Sequence, residues 1–385
     1  MRPYRWTILA VATAAQTAAA MLFQGLPAIG PYLRSDYGLT LGETGVAMSS
    51  VVVGMTLTLL GWGALADRHG ERPVIASGLV GAALALGAAA LTSEFSGLVI
   101  CLFVAGLFVA SANAASGRAV MGWFAAEQRG LALGIRQASM PIGAAVAGLS
   151  LPLLAAGGTG RSLVALGAIL LGAAVATGAL LREPEHGAEE DAGRPAPLRD
   201  RRIWRLAQAG ALLVAVQFAF LGFLVLYLHD ERGLSAPGAA ALLAAVQLVG
   251  AGVRVGLGRL SDSRAERVGP LRSVCLVLAA GAALTAAATH LPASVALPAT
   301  LACAVVAVSW NGLVFTAAAE LAGGARSGTA LGFQNTVMSV VSGATLAGFG
   351  WLVSASSWTF GFALLALPAL AARALLARVP EPARV

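Results

Sequence analysis

Three arginines interrupt long apolar runs: Arg118 in "ASGRAVMGW", Arg136 in "ALGIRQASM" and Arg254 in "GAGVRVGLG". A guanidinium stays charged at any depth, and placing it within a membrane helix costs roughly 2.5–3.5 kcal/mol on insertion scales. Such a group therefore has a partner or a task. Its planar fork of N–H donors matches a carboxylate, so the chemistry on offer is the holding of an anion. Amides surround these positions in the sequence. Gln137 adjoins Arg136, and Gln247 lies seven residues before Arg254 on the same helical face. Asn113, Asn311 beside Trp310, Gln334, Asn335, Gln16, Gln24 and Gln217 complete the set. Each amide serves equally well as an interhelical hydrogen-bonding group.

The elements that hold these residues follow from composition. The chain is 58% hydrophobic and 11% charged, against about 25% charged for soluble domains, and its mean hydropathy is +0.81. A bilayer core of roughly 30 Å needs about 20 apolar residues of helix. Twelve such runs occur, near 6–30, 42–64, 73–92, 96–123, 130–156, 162–181, 205–228, 238–259, 272–290, 294–318, 327–352 and 358–378. The weak alternation of barrel strands is absent. The expectation is an all-α polytopic membrane protein. The opening "MRPYRWTILAVATAAQTAAA" resembles a signal peptide in composition, but is read as the first membrane helix.

All 25 basic residues other than histidine are arginine. Most fall at the termini and on alternate loops, leaving only Arg34, Arg161 and Arg232 for the opposite side. The positive-inside rule then places both termini and the long middle loop in the cytoplasm. The net charge of +7 thus reflects membrane orientation, and no nucleic-acid partner is expected. The expected domains are 1–182, a charged and proline-containing cytoplasmic linker at 183–204, and 205–385. His186 is a solvated linker residue in this reading.

A repeat relates the two halves. "GWGALADRHGER" at 61–72 returns as "GLGRLSDSRAER" at 256–267, and "YLRSDYGL" at 32–39 as "YLHDERGL" at 227–234, both 195 residues on. "ALGIRQ" at 132–137 meets "ALGFQN" at 330–335 at an offset of 198. The twelve helices are therefore expected as two pseudo-symmetric six-helix halves, an arrangement found among transporters. The repeated Gly61, Gly63, Gly256 and Gly258 are expected to let helices approach closely. The repeated Asp67 and Asp262 suit a helix N-terminus or a neighbouring arginine.

Residues Gly63-Ala-Leu65-Ala-Asp67-Arg68-His-Gly70-Glu-Arg72 resemble the signature loop between helices 2 and 3 of the major facilitator superfamily, G-x-L-A-D-R-x-G-R/K-R/K. Glu71 departs from it, standing where a basic residue is usual. The resemblance implies the major facilitator fold and a cytoplasmic latch that holds the halves when the carrier faces outward. In that latch Asp67, with Arg68 and Arg72, would meet the start of helix 11 near Ser327–Thr329 and Arg118 or Arg129. Asp262 would act likewise near Arg129–Leu131.

Arg254, eight residues before Asp262, replaces its symmetry mate Leu59 by a charge. Its setting in "RVGLGRLSD" is similar to the substrate-binding arginine of the oxalate/formate exchanger and monocarboxylate transporter branch. Leu59 disfavours nitrate/nitrite porters, which carry a second arginine in helix 2.

The 18 acidic residues are all placed in loops, tails or helix ends, so no deep carboxylate is expected to hold a proton or an organic cation. Cys101, Cys275 and Cys303 lie far apart, and no metal site, cofactor or catalytic His/Asp/Glu or Ser/His cluster is expected. No G-x-x-x-x-G-K-[ST] loop occurs in a chain without lysine, which excludes that route to ATP. The reading is a monomeric secondary transporter of a small organic anion in a bacterial cytoplasmic membrane, its other partner being the lipid bilayer. It works as an exchanger, or as a symporter whose proton travels on the substrate's own carboxylate. The alternative is an efflux pump for drugs, since Pro141-Ile142-Gly143 loosely resembles the drug-antiporter signature, although Met140 replaces the glycine before the proline.

Overall fold

Twelve helices long and apolar enough to cross a bilayer follow one another in the computed structural model: α1 (Tyr4–Tyr37), α2 (Leu41–His69), α3 (Glu71–Ala89), α4 (Phe95–Met121), α5 (Leu131–Ala155), α6 (Thr159–Leu180), α7 (Arg201–Asp230), α8 (Ala236–Arg264), α9 (Val268–Ala288), α10 (Ala293–Ala322), α11 (Ala330–Ala355) and α12 (Trp358–Leu376). The structure describes residues 4–124, 126–183, 200–264, 266–322 and 327–381, with the backbone alone for 126, 127, 129, 130 and 327–329.

Prolines decide most of the interruptions. A proline cannot donate to the carbonyl four residues back, and its ring crowds that carbonyl. Thus α5 is broken at Ala138, three residues before Pro141, and α12 at Leu365, three before Pro368. In α1 a 3₁₀ turn at Leu26–Ile29 contains Pro27 and precedes Pro31, and the helix then continues past the expected residue 30 to Tyr37. The break in α10 between Ala307 and Asn311 has no proline of its own. Its loose carbonyls are taken by side chains instead. The indole N–H of the fully buried Trp310 donates to the Ala307 carbonyl at 2.8 Å, Ser309 Oγ to Val306 at 2.9 Å, and Arg254 Nη2 to Val308 at 2.6 Å.

The chain divides into two compact units, residues 1–190 with 234–244, and 191–233 with 245–385. Helix α7 starts at Arg201, inside the span read as linker, because Asp200 caps it: its carboxylate accepts the Arg202 N–H at 2.8 Å and pairs with the Arg202 guanidinium at 2.7 Å. His186 lies outside the described residues.

The repeated glycines are not close-packing points. Among the described residues, a Cβ added at Gly61, Gly63, Gly256 or Gly258 meets nothing within 4 Å. The tight crossing lies further along α2, where Gly54 abuts the backbone of Phe103 and Gly106 abuts that of Val51, leaving no room for a Cβ on either. Gly70 has φ +87° in the turn from α2 to α3, a conformation costly for other residues. The second repeat is structural too. Tyr37 donates its hydroxyl to the Thr92 carbonyl at 3.1 Å beyond the end of α3. Its mate Arg232 donates to Ala288, Thr289 and Leu291 carbonyls at 3.1, 2.7 and 3.0 Å at the end of α9.

Candidate functional site

In the first unit, α1, α4 and α5 converge on Arg136. The residue sits two positions before the Ala138 break and is only 8% exposed. Its Nε donates to Ser116 Oγ at 2.9 Å, and its Nη2 to Gln16 Oε1 at 3.3 Å and the Asn113 carbonyl at 3.2 Å. Nη1 donates to Gln137 Oε1 at 3.1 Å. The guanidinium lies alongside Gly117, where an added Cβ would come no closer than 3.5 Å to it. Ser116 also donates to Gln16 Oε1 at 3.1 Å, and Gln16 donates to Asn113 Oδ1. Gln24 donates to the Met140 carbonyl at 3.3 Å. Arg136, Gln137, Asn113, Gln24 and Gln16 thus form one assembly, joined by Ser116 and Met140, which sequence reasoning passed over. Ser116 had a signal: it lies three residues after Asn113, on the same face of α4.

Among the described residues, every acceptor that Arg136 reaches is neutral. A buried cation without a counterion is costly, and the four acceptors offset only part of what a carboxylate would supply. The arrangement can hold an anion, and nothing in it performs bond chemistry.

The second unit does not repeat the assembly. Gln334, the mate of Arg136, is 1% exposed; its Nε2 lies 3.9 Å from Met338 Sδ and its Oε1 has no hydrogen-bond partner among the described residues. The oxygens of Gln217 and Asn311 also lack one, and Asn335 is exposed. Gln247 is buried. Arg254 spends Nη2 on the Val308 carbonyl at the α10 break, while its buried Nε finds no acceptor among the described residues. The reason is visible in the repeat. Gln16 and Ser116 correspond to Ala211 and Val314, so the partners that cage Arg136 are missing.

The repeated acidic loop builds a charged cluster at the same end of each unit. In the first, Arg118 pairs with Asp67 through Nη1 and with Glu71 through Nε at 2.6 Å. Glu71 is buried, Asp67 exposed. In the second, the central cation is Arg267, 2.5 Å from Asp262 and 2.9 Å from Glu320. The Glu71 departure thereby acquires a role: its carboxyl oxygen accepts the Nε–H of Arg118. A further glutamate closes each cluster. Glu183 accepts the Arg72 N–H at 2.9 Å, and Glu381 those of Arg267, Val268 and Gly269 at 2.7, 3.0 and 2.6 Å. Burial opposes ionisation of Glu183, but hydrogen bonds from the Glu71 carboxyl and the Arg72 and Glu71 N–H groups, with the charge of Arg118, hold its pKa below the ordinary carboxylate value. The Arg68 and Arg72 side chains are exposed. The side chains of Arg129 and Ser327–Thr329 lie outside the described residues.

Comparison with known proteins gives this geometry its setting. The family model described as Major Facilitator Superfamily matches residues 11–347. An uncharacterized MFS-type transporter of Mycobacterium tuberculosis is 34% identical over 372 residues, covering 96% of this chain and 84% of its own. The "Probable sulfoacetate transporter" of Cupriavidus necator is 26% identical over 359 residues, covering 84% of this chain and 81% of its own. Among solved structures, a D-xylose–proton symporter superposes with a TM-score of 0.79 at 17% identity, covering 98% of this chain and 99% of the other, a likeness of fold. With twelve membrane-crossing helices and a family match across most of its length, the chain belongs to the major facilitator superfamily, and is a multi-pass membrane transporter rather than an enzyme.

Proposed function

We propose that this transporter carries a small organic anion across the bacterial cytoplasmic membrane by alternating access, with Arg136 as the ligand of the anionic group. One observation carries the reading: among the described residues, a buried guanidinium gathers four neutral acceptors and no carboxylate. The relative named for sulfoacetate supports an anionic substrate. Arg254 is the second candidate ligand, because its buried Nε is open and its spacing to Asp262 is that of carboxylate carriers. The carrier works as a monomer with both termini in the cytoplasm, as an exchanger or as a symporter whose proton rides on the substrate. The two clusters around Arg118 and Arg267 are its gating latches.

The test is the melting-temperature shift of the detergent-purified protein with mono- and dicarboxylates, sulfoacetate, nitrate and cationic drugs, beside Arg136→Gln and Arg254→Gln. A ligand bound only to the folded state stabilises it by RT ln(1 + [L]/Kd). An organic anion is expected to raise the melting point of the native protein and not of Arg136→Gln. A shift from cationic drugs alone, unchanged in both variants, overturns the reading.

A further inference from the structure

We infer that the Gln137 side chain is an internal stand-in for the substrate's anionic group, occupying an exposed edge of Arg136 until the substrate displaces it. The inference rests on the assignment of Arg136 as the anion ligand and names the residue that competes for it.

The hydrogen-bond pattern around Arg136 is uneven. Nε and Nη2 are taken by Ser116, Gln16 and the Asn113 carbonyl, groups that belong to α4 and α1. Gln16 and Ser116 are themselves buried and bonded to one another. The Gln16 and Ser116 contacts are walled in, and an incoming molecule cannot replace them without unpacking α1 from α4. Nη1 differs. Its acceptor is Gln137 Oε1 at 3.1 Å, and Gln137 is exposed although its neighbour is not. Adjacent helical residues point about 100° apart, so the two side chains meet only because Arg136 reaches across toward the exposed side. Nη1 carries two N–H groups and gives one to Gln137.

A glutamine amide oxygen has the geometry of one carboxylate oxygen without its charge. It satisfies the guanidinium while the site is empty and yields to an acceptor with a full charge, because charge-assisted hydrogen bonds are roughly twice as strong as neutral ones. Gln137 therefore sets a threshold: neutral molecules, which offer nothing better than an amide, do not displace it. Selectivity for anions arises from this competition as well as from Arg136.

The first experiment needs no substrate. Gln137→Glu places a carboxylate where the amide oxygen sits, and is expected to melt higher than the native protein near neutral pH. The gain belongs to the charge-assisted pair of that carboxylate with Arg136. A Gln137→Glu protein that melts no higher than the native protein at neutral pH overturns the inference. The second experiment measures binding of sulfoacetate, D-glucuronate and benzoate by the same melting shift. Gln137→Ala is expected to bind whichever of these stabilises the native protein roughly three- to ten-fold more tightly, the range one exchangeable hydrogen bond carries. Gln137→Glu is expected to lose the shift. Weaker binding by Gln137→Ala makes Gln137 a direct substrate contact and overturns the inference while leaving the anion carrier standing. Binding that survives in Arg136→Gln instead overturns the proposed function, and the substrate-free melting comparison still judges Gln137.

Discussion

Glu183 and Glu381 stand 198 residues apart and close equivalent helix starts: each carboxylate accepts backbone N–H groups at the beginning of the third helix of its half. Glu183 takes those of Arg72 and Glu71, and Glu381 those of three successive residues. The opening N–H groups of a helix have no partner within it and carry the positive end of its dipole. Glu381→Ala is therefore expected to destabilise the protein by about 1–2 kcal/mol, the upper range for loss of a cap. Glu183→Ala should lower the melting temperature less through this term, having two such bonds to lose, from Arg72 and Glu71, against three. Equal effects would show that the bonds themselves contribute little.

Arg118 separates two acids of unequal importance. Glu71 is 6% exposed, whereas the Asp67 side chain is 58% exposed. Removing the partner of a buried charge costs about 3–5 kcal/mol, whereas an exposed pair contributes about 0–1. Because the Arg118 side chain is itself one-third exposed, Arg118→Met is expected below the buried-pair range, yet above Asp67→Asn. The double change Arg118→Met with Glu71→Met should recover much of the loss. Thermal melts of the four proteins check the order.

The depressed pKa of Glu183 fixes a sign. A carboxyl with a folded-state pKa below its unfolded one stabilises the fold above the ordinary value of about 4.3. That contribution fades as the pH falls through the depressed folded value. Between about pH 6 and pH 3, the native protein is expected to lose more melting temperature than Glu183→Gln does. Parallel losses would remove Glu183 from the account.

Pro141 interrupts α5 at Ala138, immediately after Arg136 and Gln137. Pro141→Ala restores the missing N–H donor to the Gln137 carbonyl and lets the helix run straight. The variant is expected to melt at or above the native temperature while transporting more slowly, because Arg136 leaves its register with Gln16 and Ser116. Uptake into proteoliposomes, read beside the melt, checks this; unchanged transport would show that the break does not position Arg136.

Much of this molecule is legible along the chain. The twelve spans need only a run of apolar side chains long enough for a bilayer, and the breaks in α5 and α12 follow from Pro141 and Pro368. Both are local consequences of backbone chemistry. The duplicated phrases point to duplicated structure, as Tyr37 with Arg232 and Glu183 with Glu381 bear out. Other matters were settled by packing. Gly61 and Gly63 are repeated, yet the close crossing falls at Gly54 and Gly106, because which face of α2 meets α4 depends on the angle between helices. Arg254 is the obvious break in symmetry, yet it spends a donor on the Val308 carbonyl, while Arg136 draws its cage from residues about 20 and 120 positions away. Helical periodicity tells which side chains share a face; which helix that face meets, and so whether a buried charge finds a carboxylate, an amide or a carbonyl, is decided only when the helices pack.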